Sequence, residues 1–152
     1  MNNILILGVG NLLLQDEGVG IHVIQALEKE KLPPNVDLLD GGTGGFHLIS
    51  WLEKYDRIVM IDATLDDNPP GTVRLLRPHY STDFPQLMSA HEIGLKDMID
   101  AMQLSAGKLP DIQLIVVSVI NINNVGMTLS PEIKSAIPKV IKLLYEVIDI
   151  NN

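Results

Sequence analysis

The chain of 152 residues lacks cysteine and contains few cationic residues. Without cysteine it cannot form a disulfide, a thiolate metal site, an iron–sulfur cluster or a cysteine nucleophile. Lys and Arg number 11 against 19 Asp and Glu, which gives a formal net charge of −8. Because nucleic acids and anionic membrane surfaces are bound by clustered cations, this charge disfavours both as partners.

The hydrophobic stretches are too short for a membrane span, which needs about 18 consecutive apolar residues. The apolar segment 4–14 is interrupted by Gly8 and Gly10, and no Lys or Arg precedes it, unlike a secretory signal peptide. Hydrophobic residues nevertheless make up 46% of the chain, which is enough to form a core. We therefore expect one globular domain over 1–152, located in the cytoplasm.

Strand and helix patterns alternate along the chain. Apolar or β-branched runs predict strands over 4–7, 36–39, 57–61, 72–76 and 112–120. Helical spacing of apolar residues predicts helices over 17–29, 46–52, 91–102 and from 131 to about 148. Ser130 is the expected N-cap of the last helix, with Pro131 at its first position and a kink at Pro138. This alternation predicts an α/β domain with a mostly parallel sheet.

Ligands of parallel sheets bind at the carboxyl ends of the strands, so polar residues there are candidates for function. Glu17 follows the first strand, Asp62 follows the third, and His91 begins a predicted helix after a long loop. Two carboxylates and one imidazole with open coordination positions suit Ni, Zn, Fe or Mn. Spacing alone leaves the ordinary alternatives open, namely helix caps, backbone hydrogen bonds and a capping histidine.

Two glycine-rich segments at strand ends allow further interpretations. Gly8 and Gly10 lie between a strand and a helix, as in a dinucleotide fingerprint, but Leu13 replaces the third glycine. A plain tight turn, with Asp16 or Glu17 capping the helix, is the simpler interpretation. The segment 40–45 is either an ordinary loop or an edge along which an extended peptide binds through its backbone.

Taken together, these motifs resemble the hydrogenase maturation endopeptidases, which process the large subunit of [NiFe] hydrogenases. The likeness rests on the order and spacing of six short segments over nearly the whole chain. They are residues 4–11, 16–20, 40–43, 61–63, 70–72 and 91–95.

The resemblance implies a three-layer α/β sandwich whose twisted, mixed five-stranded sheet lies between helices, with the fourth strand antiparallel. It implies a monomeric, carboxylate-dependent (aspartic-type) endopeptidase that removes the carboxyl-terminal extension of a large-subunit precursor after nickel insertion. Glu17, Asp62 and His91 match the family's metal-contacting residues, and Asp16 or Asp40 are weaker candidates for a catalytic base. The nickel is expected to arrive with the precursor, and no organic cofactor is expected.

The residue inventory agrees with hydrolysis by water, because no serine lies in the sequence context of a nucleophile elbow. Three alternatives remain open at this stage. They are a nucleotide-binding α/β domain, a chaperone that holds the immature subunit without cutting it, and a metallohydrolase with its own firmly bound ion.

Overall fold

Nine elements of secondary structure are seen in a computed structural model, which describes residues 3–42, 48–78, 104, 110–120 and 125–150. The strands are β1 (Ile4–Val9), β2 (Val36–Gly42), β3 (Arg57–Thr64), β4 (Val73–Leu76) and β5 (Asp111–Ser118). The helices are a 3-10 helix (Gln15–Gly18), α1 (Val19–Leu27), α2 (Leu48–Leu52) and α3 (Pro131–Ile150). The predicted helix over 91–102 lies outside the described residues.

The five strands form one sheet in the order β2-β1-β3-β5-β4. The first four in this order are mutually parallel, whereas β4 runs antiparallel to β5. This arrangement confirms the mixed, mostly parallel sheet and the antiparallel fourth strand. Parallel β1, β3 and β5 are buried along almost their full length, which explains why their sequences are continuous apolar runs.

Two hydrophobic clusters cover the two faces of the sheet and confirm the three-layer arrangement. Side chains alternate across each strand, so Val59 and Ile61 of β3 face one cluster and Ile58 and Met60 face the other. The larger cluster packs under α1 and α3, and the smaller one packs under α2. The core is therefore built by alternate residues of the same strands.

Helix α3 begins where the sequence predicts. Its first residue is Pro131, and the carbonyl of Ser130 accepts the Lys134 amide at 2.9 Å, which places Ser130 at the N-cap. The helix continues through Pro138 to Ile150, two residues beyond the predicted end. The kink at Pro138 stays a prediction.

The amino end of the sheet is fastened to α3 by a buried arginine. Arg57, the first residue of β3, donates from Nη2 to Oε1 of Gln113 at 2.6 Å and to the carbonyl of Val147 at 3.3 Å. Its Nε lies 3.8 Å from a carboxylate oxygen of Asp111. Burial is the main cause of a lowered pKa for Arg57. These contacts lie at the end of the sheet opposite to the predicted site.

Across the parts of the chain that the structure describes, none of the helices combines the length and apolarity needed to cross a bilayer.

Candidate functional site

Two predicted site carboxylates lie at the carboxyl end of the parallel strands. Glu17 is in the 3-10 helix between β1 and α1 and is 3% exposed. Asp62 is in β3 and is fully buried. The 3-10 helix packs against β3, so the elements that carry these two side chains are in direct contact. The structure thereby brings together the parts of the chain that the strand-end rule selected.

Close backbone packing positions Glu17 at this place. Gly10 has a φ of 144°, and a Cβ atom there would overlap the carbonyl oxygen of Glu17. A Cβ atom on Gly8 would overlap the carbonyl oxygen of Gly20 in α1. The two glycines therefore let the 3-10 helix and α1 sit directly on β1, which favours the tight-turn interpretation over a dinucleotide loop.

Asp62 lies within its strand rather than after it. The prediction that β3 ends at Ile61 was wrong, because pairing with β5 continues through Asp62–Val116 to Thr64–Ser118. The Asp62 side chain falls on the same sheet face as that of Met60. Its Oδ1 accepts the backbone N–H of Ala63 at 2.7 Å. Asp62 is thus held within the rigid sheet rather than on a loop.

Asp16 is attached to a distant part of the chain. Its Oδ1 accepts the backbone N–H of Ser130 at 2.8 Å, and its Oδ2 accepts the Ser130 hydroxyl at 2.8 Å. The N-cap of α1 is Gly18 and that of the 3-10 helix is Leu14, so the interpretation of Asp16 or Glu17 as an N-cap was wrong. Both carboxylate oxygens of Asp16 instead fix the beginning of α3.

Asp40 is exposed near the end of β2 and closes a local turn. Its Oδ1 accepts the backbone N–H of Gly42 at 2.9 Å, and Gly42 adopts a φ of 53°. The rest of the glycine-rich segment, 43–45, lies outside the described residues. Asp40 therefore shapes the backbone at the exposed margin of the sheet.

The third predicted metal-contacting residue, His91, lies outside the described residues. Within the described ranges, no three or more His, Asp or Glu side chains form a group that could hold a metal ion. The coordination of one ion by Glu17, Asp62 and His91 thus stays a prediction.

No pattern in the sequence predicts the role of segment 125–130, which leads into α3 and pairs with the loop after β1. The backbone N–H of Gly126 donates to the carbonyl of Leu13 at 2.7 Å, and the N–H of Gln15 donates to the carbonyl of Gly126 at 2.8 Å. His22 of α1 forms a hydrogen bond with the backbone of Met127 in the same segment. The pKa of His22 is lowered, chiefly by burial. More than 100 residues separate the partners, and no spacing pattern in the sequence signals such contacts.

The fold and these positions define a mixed α/β protein with buried carboxylates at its strand ends. The profile of the HycI hydrogenase maturation protease family matches residues 21–147. The hydrogenase 2 maturation protease of Escherichia coli is 36% identical over 151 residues, covering 94% of this chain and 91% of that protein. The hydrogenase expression/formation protein HupD of Bradyrhizobium diazoefficiens is 34% identical, covering 97% and 78%.

A solved structure agrees with these sequence matches. The hydrogenase maturating endopeptidase HybD from E. coli superposes with a TM-score of 0.80 at 34% identity, covering 95% of this chain and 93% of that one. The chain belongs to the hydrogenase maturation protease family. It is therefore a peptide hydrolase, which confirms the enzyme class expected from the sequence.

Proposed function

We propose that the chain removes the carboxyl-terminal extension of a [NiFe] hydrogenase large-subunit precursor, after nickel has been inserted into that precursor. Nickel belongs to the substrate in this proposal, and Glu17, Asp62 and His91 contact it when the two proteins meet. The observation that carries the proposal is the burial of Glu17 and Asp62 on two packed elements at the carboxyl end of the sheet. The enzyme acts as a monomer in the cytoplasm and has no organic cofactor.

The electrostatics of the buried carboxylates favour the binding of a cation that arrives with another protein. Removing ionised carboxylates from water is costly, and two of them on contacting elements repel each other. A divalent ion that arrives with a partner offsets both costs, since carboxylate and imidazole groups are suitable ligands for it. Nickel binding and docking of the precursor are thereby coupled, so that a precursor without nickel binds poorly.

Hydrolysis needs a water molecule, a polarised carbonyl and a proton acceptor. Water adds to the scissile carbonyl carbon, the C–N bond breaks, and the departing amine takes up a proton. The substrate's nickel acts as a recognition element and as a Lewis acid near that carbonyl. Asp16 and Asp40 are the remaining candidates for the base. The two hydrogen bonds from Ser130 favour a positioning role for Asp16.

The test compares nickel-loaded and nickel-free precursor from the source organism, each incubated with purified enzyme and followed by mass spectrometry. We expect the loaded form to lose its extension and the nickel-free form to remain intact. Equal cleavage of both forms rules out recognition of nickel. Binding of the loaded precursor without any mass shift identifies a chaperone that holds the subunit, whereas firmly bound zinc with cleavage of generic peptides identifies a self-contained metallohydrolase.

Substitutions at the site provide the second arm of this test. Glu17→Gln and Asp62→Asn keep the side-chain size but remove the charge, and we expect cleavage to fall by roughly tenfold to a hundredfold or more. Glu53→Gln is the matched control, because Glu53 is an exposed acid beyond α2. Full activity of the Glu17 and Asp62 variants contradicts their contact with nickel.

A further inference from the structure

Exposed apolar side chains are concentrated at one end of the molecule. Seven large hydrophobic residues are exposed in the described part of the chain, and five of them follow β1, β3 or β5 at the carboxyl end of the sheet. We call these five the apolar rim; their exposure ranges from 40% to 82%. They are Leu13, Leu65, Ile120, Val125 and Met127. Such a concentration on a folded protein marks a surface that contacts another molecule.

Some of the rim residues lie next to the elements that carry the site carboxylates. Leu65 directly follows β3, and Ile120 lies just beyond the neighbouring β5. The two strand ends are joined by the Val119 N–H, which donates to the carbonyl of Thr64 at 3.0 Å. Leu13 comes from the loop that leads into the 3-10 helix of Glu17. Leu13 and Leu65 are therefore close in the chain to Glu17 and Asp62, and the backbone hydrogen bonds join the other rim segments to theirs.

Hydrogen bonds hold part of the rim in place although its side chains face water. Leu13 and Gly126 are joined by the backbone pairing described above, which fixes Leu13, Val125 and Met127 next to one another. The amide of Leu13 also donates to Oδ1 of Asn11 at 3.0 Å. A backbone fixed in this way presents a preformed apolar surface, so little ordering is needed when a partner binds.

We propose that the apolar rim docks the hydrogenase precursor around its nickel centre, through a surface of the precursor that is apolar and edged by Lys or Arg. This inference rests on the proposed function, because it identifies the contact that brings the scissile bond to Glu17 and Asp62. Continuity of the rim with the site favours the substrate as occupant. Exposed Asp67, two residues after Leu65, supplies an acidic edge that complements the cations of the precursor.

Charge argues against the other occupants of such a surface. Two copies of this chain each carry a formal charge of −8, and rim-to-rim contact would place their acidic sites opposite each other. An anionic membrane or a nucleic acid meets the same repulsion. A protein with basic residues around an apolar patch is not subject to this electrostatic repulsion.

The experiment measures docking and cleavage separately on the full-length enzyme. Val125→Asp and Ile120→Asp place a charge at two well-exposed rim positions, and neither substitution removes a buried group. Trp51→Asp is the matched control, because Trp51 is also an exposed apolar residue but lies on α2. Thermal melting verifies that all three variants fold. The probe is the nickel-loaded precursor, whose Kd is measured by calorimetry and whose cleavage is followed by mass spectrometry.

We expect each rim variant to raise Kd and KM at least about tenfold with kcat unchanged, and the Trp51 variant to stay within about twofold of wild type. Unchanged Kd and KM in the rim variants overturn the docking proposal while the proposed cleavage stands. Rim-dependent binding without cleavage by wild type supports docking and overturns the proposed cleavage. A wild-type dimer that the rim variants dissociate, with KM unaltered, shows self-association and also overturns docking.

Discussion

The carboxylate of Asp16 accepts hydrogen bonds from both the backbone N–H and the hydroxyl group of Ser130, with donor–acceptor distances of 2.8 Å. The contact joins the 3-10 helix that carries Glu17 to the first turn of α3, which lies 114 residues further along the chain. A carboxylate next to a helix N-terminus also interacts favourably with the helix dipole. The position of the site thus depends on the last helix as well as on the first strand.

We expect Asp16→Ala to lower the free energy of unfolding by about 1–3 kcal/mol, because two hydrogen bonds to a charged group are lost at a partly buried place. Ser130→Ala removes only the hydroxyl donor and should cost about 1 kcal/mol. Urea unfolding of both variants and of the double variant gives their coupling energy. If the loss of unfolding free energy in the double variant equals the sum of the two single losses, a direct interaction between Asp16 and Ser130 is contradicted. A hundredfold loss of turnover in folded Asp16→Ala alone, with Ser130→Ala active, indicates that Asp16 is the base instead.

The buried guanidinium of Arg57 allows a second comparison. Arg57→Ala leaves Oε1 of buried Gln113 without its 2.6 Å donor, so we expect a loss of about 1–3 kcal/mol in unfolding free energy. Asp111→Asn should cost less than about 1 kcal/mol, because the Asp111 side chain is 66% exposed and 3.8 Å from Arg57. Chemical denaturation distinguishes the two effects. Similar losses from both substitutions contradict the assignment of stability to the Gln113 and Val147 contacts.

The pKa of His22 predicts a pH dependence of stability. Burial lowers this pKa below the usual 6.5, so between the two values the unfolded chain binds more protons than the folded one. The effect of His22 on the free energy of unfolding is therefore most favourable above about pH 6.5. As the pH falls below this value, the free energy of unfolding decreases by at most about 1.4 kcal/mol per pH unit. Urea midpoints of wild type and His22→Gln, measured from pH 7.5 to 5, give the difference due to this residue. If the urea midpoints of wild type and His22→Gln change with pH in parallel, the prediction is contradicted.

The backbone at Gly10 should tolerate no side chain. We expect Gly10→Ala to cost at least about 3 kcal/mol and to displace Glu17, since the φ of 144° is strained for alanine and the new Cβ overlaps the Glu17 carbonyl. Gly42→Ala is the control, because its φ of 53° is unfavourable but, among the described residues, the nearest atom to its Cβ would be Oδ1 of Asp40 at 3.9 Å. A cost of about 1–2 kcal/mol is expected there. Equal melting temperatures for the two variants argue against the packing explanation.

Much of the fold was predictable because buried parallel strands have continuous apolar sequences. The starts of β1 and β3 and the N-cap of α3 were placed correctly by local patterns. The end of β3 was not, because a buried Asp62 inside a strand has the sequence appearance of a strand terminus. The antiparallel direction of β4 could be predicted only from the resemblance to known proteins. The sequence of a four-residue strand does not indicate in which direction the strand runs in the sheet.

The location of Glu17 and Asp62 at one edge of the sheet was predictable, but the contacts that hold the surrounding segments in place were not. Adjacent parallel strands bring their carboxyl ends to one edge, so a topological rule selected Glu17 and Asp62 without any contact information. The Asp16–Ser130 contact and the pairing of Leu13 with Gly126 join segments that are far apart in sequence. Such contacts follow from tertiary packing, and no local pattern specifies them.

Helix α3 is fastened at both of its ends to the first half of the chain, through Asp16 at Ser130 and through Arg57 at Val147. During synthesis on a ribosome, these two attachments form only after Ser130 and Val147 have been translated. The 3-10 helix that carries Glu17 therefore lacks its contact with Ser130 in the nascent polypeptide, and a premature stop before residue 130 yields a fragment in which α1 packs on its face of the sheet without α3. We therefore expect proteolytic activity only after α3 has been synthesised.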